Sequence, residues 1–401
     1  MVACVGFAEP AWAQAEHQHH TAAPDGKWMR MQDGVVFGIF NSQGGPRGGQ
    51  EFIAPNWWMG MASRKSGRHT ITFSGMLSFD PALVGRSGYA EIFQSGESLD
   101  GVPIVDRQHP HDFLMQLSAT WRMAFTSSTA LTIGGGPSAE PTLGPIAFMH
   151  RASAAGLPFA PLGHHTLDST HVSFGVVAAS LDLGKWTIEG SAFNGREPDD
   201  DRWDLDLAPM DSYAGRVWFR PTPEWTFQAS TGFLREPEEW EPGTNVRRTT
   251  ASGSWTRKGA TGFTAVTAGW GMNDAHGTKQ HAVFVEATSE RGANSMFSRL
   301  EWQEVELAKL IGIEGPALPG EPDPHFATDP VTALTMGAAR RLVIWRGFEG
   351  AVGAQVTLYG VPVSLEPAYS NFPVSAQVFF RLRLPTGSMG RMWDHRMLAG
   401  Q

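Results

Sequence analysis

Cysteine is nearly absent from this 401-residue chain, in which Cys4 is the single example. Redox chemistry that depends on cysteine pairs is therefore excluded. A chain without further thiols also suits passage through an oxidising periplasm, because it forms no disulfide on the way.

Long apolar runs are missing as well. No stretch approaches the roughly 18 consecutive apolar residues that a membrane-spanning helix requires, although apolar residues make up 41% of the chain. Only helices and closed barrels satisfy every backbone polar group in lipid. If the protein spans a membrane, the sequence therefore predicts that it does so as a closed β-barrel.

An excess of positive charge is the third absence. The formal net charge is -9, and no cluster of lysine and arginine stands out along the chain. Phosphate binding needs such a cluster on one face, so we expect no nucleic-acid partner.

What the sequence does contain is period-two alternation from one end to the other. In residues 69–79, Ile71 and Phe73 alternate with Thr70 and Thr72, and residues 113–123, 225–233 and 376–384 repeat the pattern. This alternation is typical of strands with one apolar face. Soluble β-sandwiches share it, but their strands are usually about five or six residues long. Runs of nearly ten residues favour tilted strands that cross a bilayer.

The connections between these runs alternate strictly between short and long. Tight turns on one rim and long loops on the other are typical of outer-membrane barrels, in which the turns are periplasmic and the loops extracellular. The count predicts a single antiparallel transmembrane barrel of about 16 strands, with 14 or 18 as alternatives because single strands are weakly marked. The short connections lie near 65–67, 127–128, 184–185, 221–224, 258–260, 291–293 and 346–347, and the long ones near 43–50, 80–111, 139–170, 195–211, 236–245, 273–280, 307–330 and 360–374.

The same pattern sets the predicted domain limits. Residues 1–13 read as an export signal, and we expect it to be incomplete because no basic residue precedes Lys27. Residues 14–33 read as a flexible segment with histidines and with Met29 and Met31, which either captures copper or zinc or is simply a solvated tail. Residues 34–385 form the predicted barrel, and residues 386–401 a periplasmic tail.

Four motifs resemble those of a poorly characterised family of outer-membrane β-barrel proteins from Gram-negative bacteria. They are QDG at 32–34, NSQGGPRGG at 41–49, APNWWMGM at 54–61 and DRQHPHD at 106–112. Residues 380–385 are similar to that family's closing strand, so the resemblance covers the whole barrel. It implies a fold and a compartment, the outer membrane of a Gram-negative bacterium, and carries no catalytic residues with it.

Histidine is the sharpest functional clue. Two long loops hold histidines beside carboxylates, and imidazole with carboxylate suits Zn²⁺, Cu²⁺ or Ni²⁺. We therefore predict a candidate metal site at an extracellular mouth, with copper or zinc as the ion and no other cofactor. The alternative is that these histidines merely order the loops through hydrogen bonds. The candidate residues are His109, His111, Asp112, His164, His165, Asp168 and His171.

Charged residues on the polar faces of the strands form a second set. Their parity directs them into the lumen, where charges of both signs line a water-filled channel or brace a filled interior. The predicted lumen-lining residues are Arg122, Glu189, Arg216, Arg220, Glu286, Arg299, Glu301, Arg381 and Arg383.

An enzymatic alternative rests on His171 and Ser173, whose spacing resembles the base and nucleophile of outer-membrane lipid hydrolases. The alternation argues against it, because it predicts that Phe174 and Val176 face the lipid. His171 and Ser173 then face the lumen, away from a lipid substrate.

The sequence therefore predicts a porin-like channel or transport-related barrel with no enzymatic activity. A plugged structural or adhesive barrel without conductance is the main alternative, and the lipid hydrolase is the weakest. The expected partners are outer-membrane lipid and a small polar solute or metal ion, and the oligomeric state stays open.

Overall fold

The computed structural model describes residues 25–312 and 327–386, and it is built almost entirely from antiparallel strands. One sheet of seventeen strands closes into a sixteen-stranded barrel, because two consecutive strands share one position in the wall. This architecture confirms the predicted fold. The strands are β1 (Trp28–Ser42), β2 (Gln50–Ile53), β3 (Asn56–Ser66), β4 (His69–Leu77), β5 (Tyr89–Leu99), β6 (Val102–Gln108), β7 (Leu114–Ala124), β8 (Thr129–Ala139), β9 (Ser173–Leu183), β10 (Trp186–Phe193), β11 (Ser212–Thr222), β12 (Trp225–Arg235), β13 (Asn245–Gly259), β14 (Gly262–Ala275), β15 (Thr278–Arg291), β16 (Asn294–Glu306), β17 (Thr328–Trp345), β18 (Phe348–Gly360) and β19 (Val374–Arg383).

Helical structure is confined to short segments in the connections. They are α1 (Asp80–Leu83), α2 (His164–Leu167), α3 (Leu307–Ile311) and α4 (Glu366–Tyr369), with 3-10 turns at Phe148–His150, Ala152–Ala154 and Ser169–His171. Within the described residues, no helix has the length and apolar character needed to cross a membrane.

Four strands, β2, β3, β5 and β6, do not each add one full strand to the barrel wall. β2 and β3 both pair with β1, and Ala54 and Pro55 separate them, so together they form one interrupted strand of the barrel wall. Proline donates no hydrogen bond to a neighbouring strand, which explains the break. β5 and β6 pair only with each other, and we call residues 89–108 the inner hairpin. The barrel closes where β1 pairs with β19.

Connections of two to four residues lie on one rim, at 67–68, 125–128, 184–185, 223–224, 260–261, 292–293 and 346–347. All seven were predicted. The opposite rim carries the long connections with one exception, because residues 276–277 form a two-residue turn between β14 and β15. His276 and Gly277 both have positive φ angles, as a tight hairpin turn requires, and Asp274 pairs with Lys279 across it. The prediction of a long loop at 273–280 was wrong because these polar residues extend the strands.

The outer face of the wall is apolar. Large side chains such as Phe73, Leu117, Ile188 and Val378 remain between 49% and 62% exposed on the isolated chain, as the face of a barrel turned to lipid would be. Charged residues of other barrel strands, Glu286 and Arg299 among them, are buried on the inner face.

The barrel begins earlier than predicted. β1 starts at Trp28, and Met31 is already buried inside the lumen, so residues 28–33 belong to the wall and not to a flexible segment. The predicted export signal at 1–13, most of the predicted segment 14–33 and nearly all of the tail 386–401 lie outside the described residues.

The connection between β8 and β9 folds into the lumen, and we call residues 140–172 the plug. Its 3-10 turn at Ala152–Ala154 contacts β13, β14 and β15, on the far side of the barrel from β8 and β9. Arg151 of the plug lies 2.7 Å from Glu286 of β15 and 2.7 Å from Asp168, and Arg299 completes the group at 3.0 Å from Glu286. These charges are almost fully buried, so each depends on its partners.

A cavity of about 360 Å³ lies beneath the plug, towards the rim of short turns. Arg216, Arg220, Glu189 and Trp218 line its wall, and Arg151 lies at its roof. The lumen is thus open on the short-turn side and occluded by the plug above.

One assignment of faces was wrong. On β9, Val177 is 52% exposed whereas Phe174 and Val176 are buried, so Phe174 and Val176 face the interior. These two side chains pack against other buried apolar residues of the interior, and the pairing of β8 with β9 keeps one register across Gly175.

The plug anchor gives a first prediction. Replacing Arg151 by methionine leaves Asp168 and Glu286 buried with fewer partners, and we expect the free energy of unfolding to fall by about 3–5 kcal/mol. Urea unfolding of the refolded barrel in lipid vesicles, followed by tryptophan fluorescence, measures this change.

The matched control is Arg122→Met. Arg122 pairs with Asp182, but its side chain is 40% exposed, so we expect a loss of no more than about 1 kcal/mol. Equal losses in the two variants would show that Arg151 does not anchor the plug.

Candidate metal centre

The inner hairpin and the plug bring five histidines together inside the lumen. We call His109, His111, His164, His165 and His171 the histidine cluster. Neighbouring ring centres lie 5.2 Å apart for His109 and His165, 5.2 Å for His164 and His171, and 5.6 Å for His111 and His171. Nitrogen atoms of His109, His164 and His165 all lie within 4.8 Å of one another.

One nitrogen of every ring is held by an oxygen atom. Nδ1 lies 3.2 Å from the Pro110 carbonyl in His109, 3.0 Å from Asp80 in His111, 2.8 Å from Asp168 in His164, 2.8 Å from Glu197 in His165 and 2.9 Å from the Asp168 carbonyl in His171. Glu97 also lies 3.1 Å from Nδ1 of His109. Carboxylate and carbonyl oxygens accept hydrogen bonds, so each Nδ1 is the donor. The proton is thereby placed on Nδ1, and the lone pair on Nε2.

Among the residues that the structure describes, the other nitrogen of every ring has no partner. The Nε2 atoms of all five histidines are buried and make no hydrogen bond to these residues. A buried polar atom without a partner costs about 1–3 kcal/mol, and such atoms are rare in native proteins. Five of them in one cluster therefore require an explanation.

Burial also sets the protonation state of the cluster. Loss of solvent lowers the pKa of His164 to about 4, that of His165 to about 4 and that of His171 to about 3, and it lowers the pKa of His109 well below the ordinary value. These four rings are neutral at pH 7, which is the form that binds metal ions.

The cluster lies within the lumen and not at an open extracellular mouth, as the sequence had suggested. His164 is fully buried and His109 is 6% exposed, because both loops fold inward. The two predicted aspartates are close by in different roles. Asp168 divides its oxygens between His164 and Arg151, and Asp112 lies 3.8 Å from Arg202.

The electrostatics of these aspartates differ. Burial would raise the pKa of Asp168, but Arg151 and His164 lower it below the ordinary value, so it is ionised. Burial raises the pKa of Asp112 to about 7, with Arg202 opposing the shift. Asp168 is therefore a fixed negative charge that orients His164, and its backbone carbonyl orients His171.

Sequence reasoning missed the other residues that orient the rings. Asp80 lies in α1, Glu97 in β5 of the inner hairpin and Glu197 in the connection between β10 and β11, and Arg202 forms a buried ion pair with Glu97. No spacing pattern links them to the histidines. Only the rule that a ligating histidine needs an acceptor for its second nitrogen predicts such carboxylates, and it does not say which ones.

The inner hairpin is strained where it supports the cluster. Glu97 has a φ of 58° and Asp106 a φ of 58°, a conformation that costs non-glycine residues about 1–3 kcal/mol. At Gly96, a Cβ atom would lie 2.3 Å from the His165 ring. The backbone thus approaches His165 as closely as glycine permits.

The predicted lumen-lining residues fall into three groups. Glu189, Arg216 and Arg220 line the cavity below the plug, and Arg122 pairs with Asp182 near the short turns. The remaining residues contact the plug: Glu286, Arg299, Glu301, Arg381 and Arg383.

The hydrolase arrangement is not formed. Ser173 Oγ donates to the Thr170 carbonyl at 3.2 Å, and His171 Nδ1 bonds to the Asp168 carbonyl. His171 does not serve Ser173 as a base. Ser173 is also buried, so a lipid substrate does not reach it.

Comparisons with known proteins agree on the fold. The chain is similar to OprB of Pseudomonas putida (TM-score 0.52, 7% identity, covering 89% of this chain and 93% of that one) and to a loop-deletion mutant of the outer-membrane protein OmpT of Vibrio cholerae (0.51, 8%, 90% and 100%). An anion-selective porin from Comamonas acidovorans gives a TM-score of 0.50 at 9% identity, covering 89% and 100%. The fold is thus that of porins and related outer-membrane barrels.

Sequence comparison adds nothing further, since no family model matches the chain. No curated protein matches it either. The family resemblance inferred from the four motifs stays a prediction.

The contact at Gly96 provides a second prediction. Gly96→Ala places a methyl group against the His165 ring, and we expect it to lower the free energy of unfolding by about 1–3 kcal/mol beyond the backbone strain that alanine suffers at a positive φ. The control is Gly101→Ala in the same hairpin, where φ is also positive and the space is open. Equal destabilisation of the two variants in urea unfolding would show that His165 is not packed against Gly96.

Proposed function

We propose that this protein is an outer-membrane barrel of a Gram-negative bacterium that binds a transition-metal ion at the histidine cluster and serves the transport of that ion. The carrying observation is the set of five buried Nε2 atoms without partners, in rings whose Nδ1 atoms are all held. Metal-ligating histidines have this arrangement, with the second ring nitrogen donating to a carboxylate or a carbonyl.

The alternative, that the histidines only order the loops, explains the contacts of one nitrogen in each ring and not the state of the other. It explains why each Nδ1 has a partner, but it leaves every Nε2 buried and unpaired. A residue that served only to order a loop would not need to be histidine at five positions. Metal coordination explains both nitrogens, because neutral Nε2 is a ligand for Zn²⁺ and Cu²⁺.

The surroundings favour a cation. Asp80, Glu97, Asp168 and Glu197 contact the rings, whereas Arg151 and Arg202 approach the carboxylates and not the Nε2 atoms. With His109, His164 and His165, three imidazoles supply the usual protein ligands of a four-coordinate Zn²⁺ site that keeps one position open.

A route from the long-loop side reaches the same histidines. Oxygen atoms of Glu197 and Glu238 lie within 4.8 Å of a His165 nitrogen, and Glu238 and Glu241 line a cavity of about 70 Å³ that His165 also lines. Carboxylates at the entrance raise the local concentration of cations. An ion arriving from the loops thus meets oxygen ligands first and imidazoles next.

The plug favours selective transport of a bound ion over free diffusion of solutes through an open pore. It fills the upper lumen, and the cavity of about 360 Å³ lies beneath it. A general porin needs a continuous aqueous path, whereas a site that selects an ion needs enclosure and dehydration of that ion. The purely structural barrel shares the plug, but it gives no reason for the free Nε2 atoms.

Calorimetry of the refolded full-length chain with Zn²⁺ and with Cu²⁺ tests this function. We expect the wild type to bind, and the double variant His109→Ala with His164→Ala to lose the binding heat because two of the three converging ligands are gone. Glu197→Gln retains all five rings but weakens the orientation of His165, so we expect a roughly 10–100-fold weaker affinity.

The matched control is the pair His69→Ala with His281→Ala. Both of these rings stack on tryptophans outside the cluster, so we expect unchanged heats. Binding by the His109 and His164 double variant at wild-type affinity and stoichiometry would refute the proposed site.

A further inference from the structure

Methionine is concentrated in one place in the barrel interior. Of the 16 methionines in the chain, seven belong to a single hydrophobic cluster of eleven residues, four of them buried and three partly buried. The other four hydrophobic clusters of the described residues contain none. The members, which we call the methionine cluster, are Met29, Met31, Met59, Met61, Met76, Met115 and Met149.

Strand register places these side chains in contact distance. Met31 lies opposite Met61 across β1 and β3, and Met59 lies opposite Met76 across β3 and β4. Directly opposed residues of antiparallel strands have Cβ atoms about 4.5–5.5 Å apart. Their thioethers therefore extend into the same part of the lumen.

Met115 joins the cluster through a bulge. Simple alternation places it with Leu117 on the outer face, and Leu117 is indeed 49% exposed, yet Met115 is only 1% exposed. The pairing of β4 with β7 shifts register between Met76 and Leu77, which leaves Met115 as the extra residue. Bulges commonly re-aim a side chain at functional sites, and here the bulge adds a fourth buried thioether.

Hydrophobic packing alone does not call for this composition. The flexible thioether specifies a core less well than leucine, isoleucine or phenylalanine does, and those are the residues of the other clusters. Gap filling is the ordinary use of methionine. Seven methionines assembled from four strands and the plug suggest that the sulfur atoms themselves are needed, and thioether sulfur is a ligand selective for Cu(I).

The methionine cluster adjoins the histidine cluster on the side of the short turns. Met76 precedes Asp80, which holds His111, by four residues, and Met115 follows His111 by four residues. Met149 and His111 line one cavity of about 60 Å³. Val172 and Phe174, directly after His171, belong to the methionine cluster.

We propose that the methionine cluster is a second metal site that binds Cu(I), and that it receives the ion from the histidine cluster or delivers the ion to it. Copper is the ion that both donor sets accept, since imidazole also suits copper. The Cu(I) site stands on the methionines alone, and only the exchange with the histidine cluster rests on the proposed function. No change of oxidation state is required, because Cu(I) occupies both sites.

The test compares two triple variants of the refolded full-length chain. In Met59→Leu with Met76→Leu and Met115→Leu, side-chain volume is nearly conserved but three buried thioethers are lost. The control replaces Met210, Met296 and Met336, all of which are well exposed, by leucine. The probes are Ag⁺ by calorimetry and Cu(I) by competition with a chromogenic Cu(I) chelator.

We expect the cluster variant to bind both probes more weakly than wild type by more than the roughly 10–100-fold effect of outer-shell changes, and the control to bind as wild type does. Zn²⁺ binding at the histidines is measured in parallel and is expected to be unchanged in both. Wild-type affinity for Ag⁺ and Cu(I) in the cluster variant would overturn the proposal. If the wild type binds no Zn²⁺, the proposed histidine site is contradicted, whereas the Ag⁺ and Cu(I) results still test the methionine cluster.

A second measurement leaves every methionine in place. X-ray absorption at the copper edge, on the double variant His109→Ala with His164→Ala loaded with one equivalent of Cu(I), is expected to show sulfur neighbours. A spectrum with only nitrogen and oxygen neighbours would overturn the assignment.

Discussion

The buried charge network around Arg151 holds the interior of this barrel in place. Arg151 connects the plug to Glu286 on the far wall and to Asp168 within the plug, and Asp168 in turn orients His164 and His171. A buried ion group of this kind is stable only while all members are present. The ligand geometry of the histidine cluster therefore depends on the same contacts that keep the plug across the lumen.

The functional argument depends on which atoms are satisfied and which are not. The interior satisfies the histidine Nδ1 atoms with five separate oxygens, and Glu97 adopts a strained backbone conformation beside His109. Because the rings are held in place through their Nδ1 atoms, the five Nε2 atoms without partners do not result from loose packing. In the proposed route, oxygen atoms near the long loops, imidazoles in the lumen and thioethers towards the short turns would follow one another as increasingly soft donors for a cation.

The sequence predicted the wall well because alternation and turn length are local properties. All seven short turns and the strand count followed from them. Two exceptions have local causes that alternation does not encode: a positive-φ pair at His276 and Gly277 and a bulge at Met115. At Phe174 and Val176 the alternation is kept, but the apolar face of the strand is turned to the filled interior.

The candidate site was predicted in part. Two histidine-rich loops at adjacent strands indicated that His109, His111, His164, His165 and His171 would meet. Their depth could not be predicted, because folding a loop inward depends on ion pairs such as Arg151 with Glu286, which are 135 residues apart. Asp80 and Glu197 lie 31 and 32 residues along the chain from His111 and His165, the rings that they orient, and the methionine cluster depends on register across strands.

The most direct measurement is anomalous diffraction from crystals of the full-length protein grown with Zn²⁺, recorded on both sides of the zinc absorption edge. This account predicts one ordered peak inside the lumen, about 2.0–2.1 Å from Nε2 atoms of His109, His164 and His165. Ordered zinc found only at surface carboxylates or at His69 and His281, with the lumen free of anomalous signal, would contradict it.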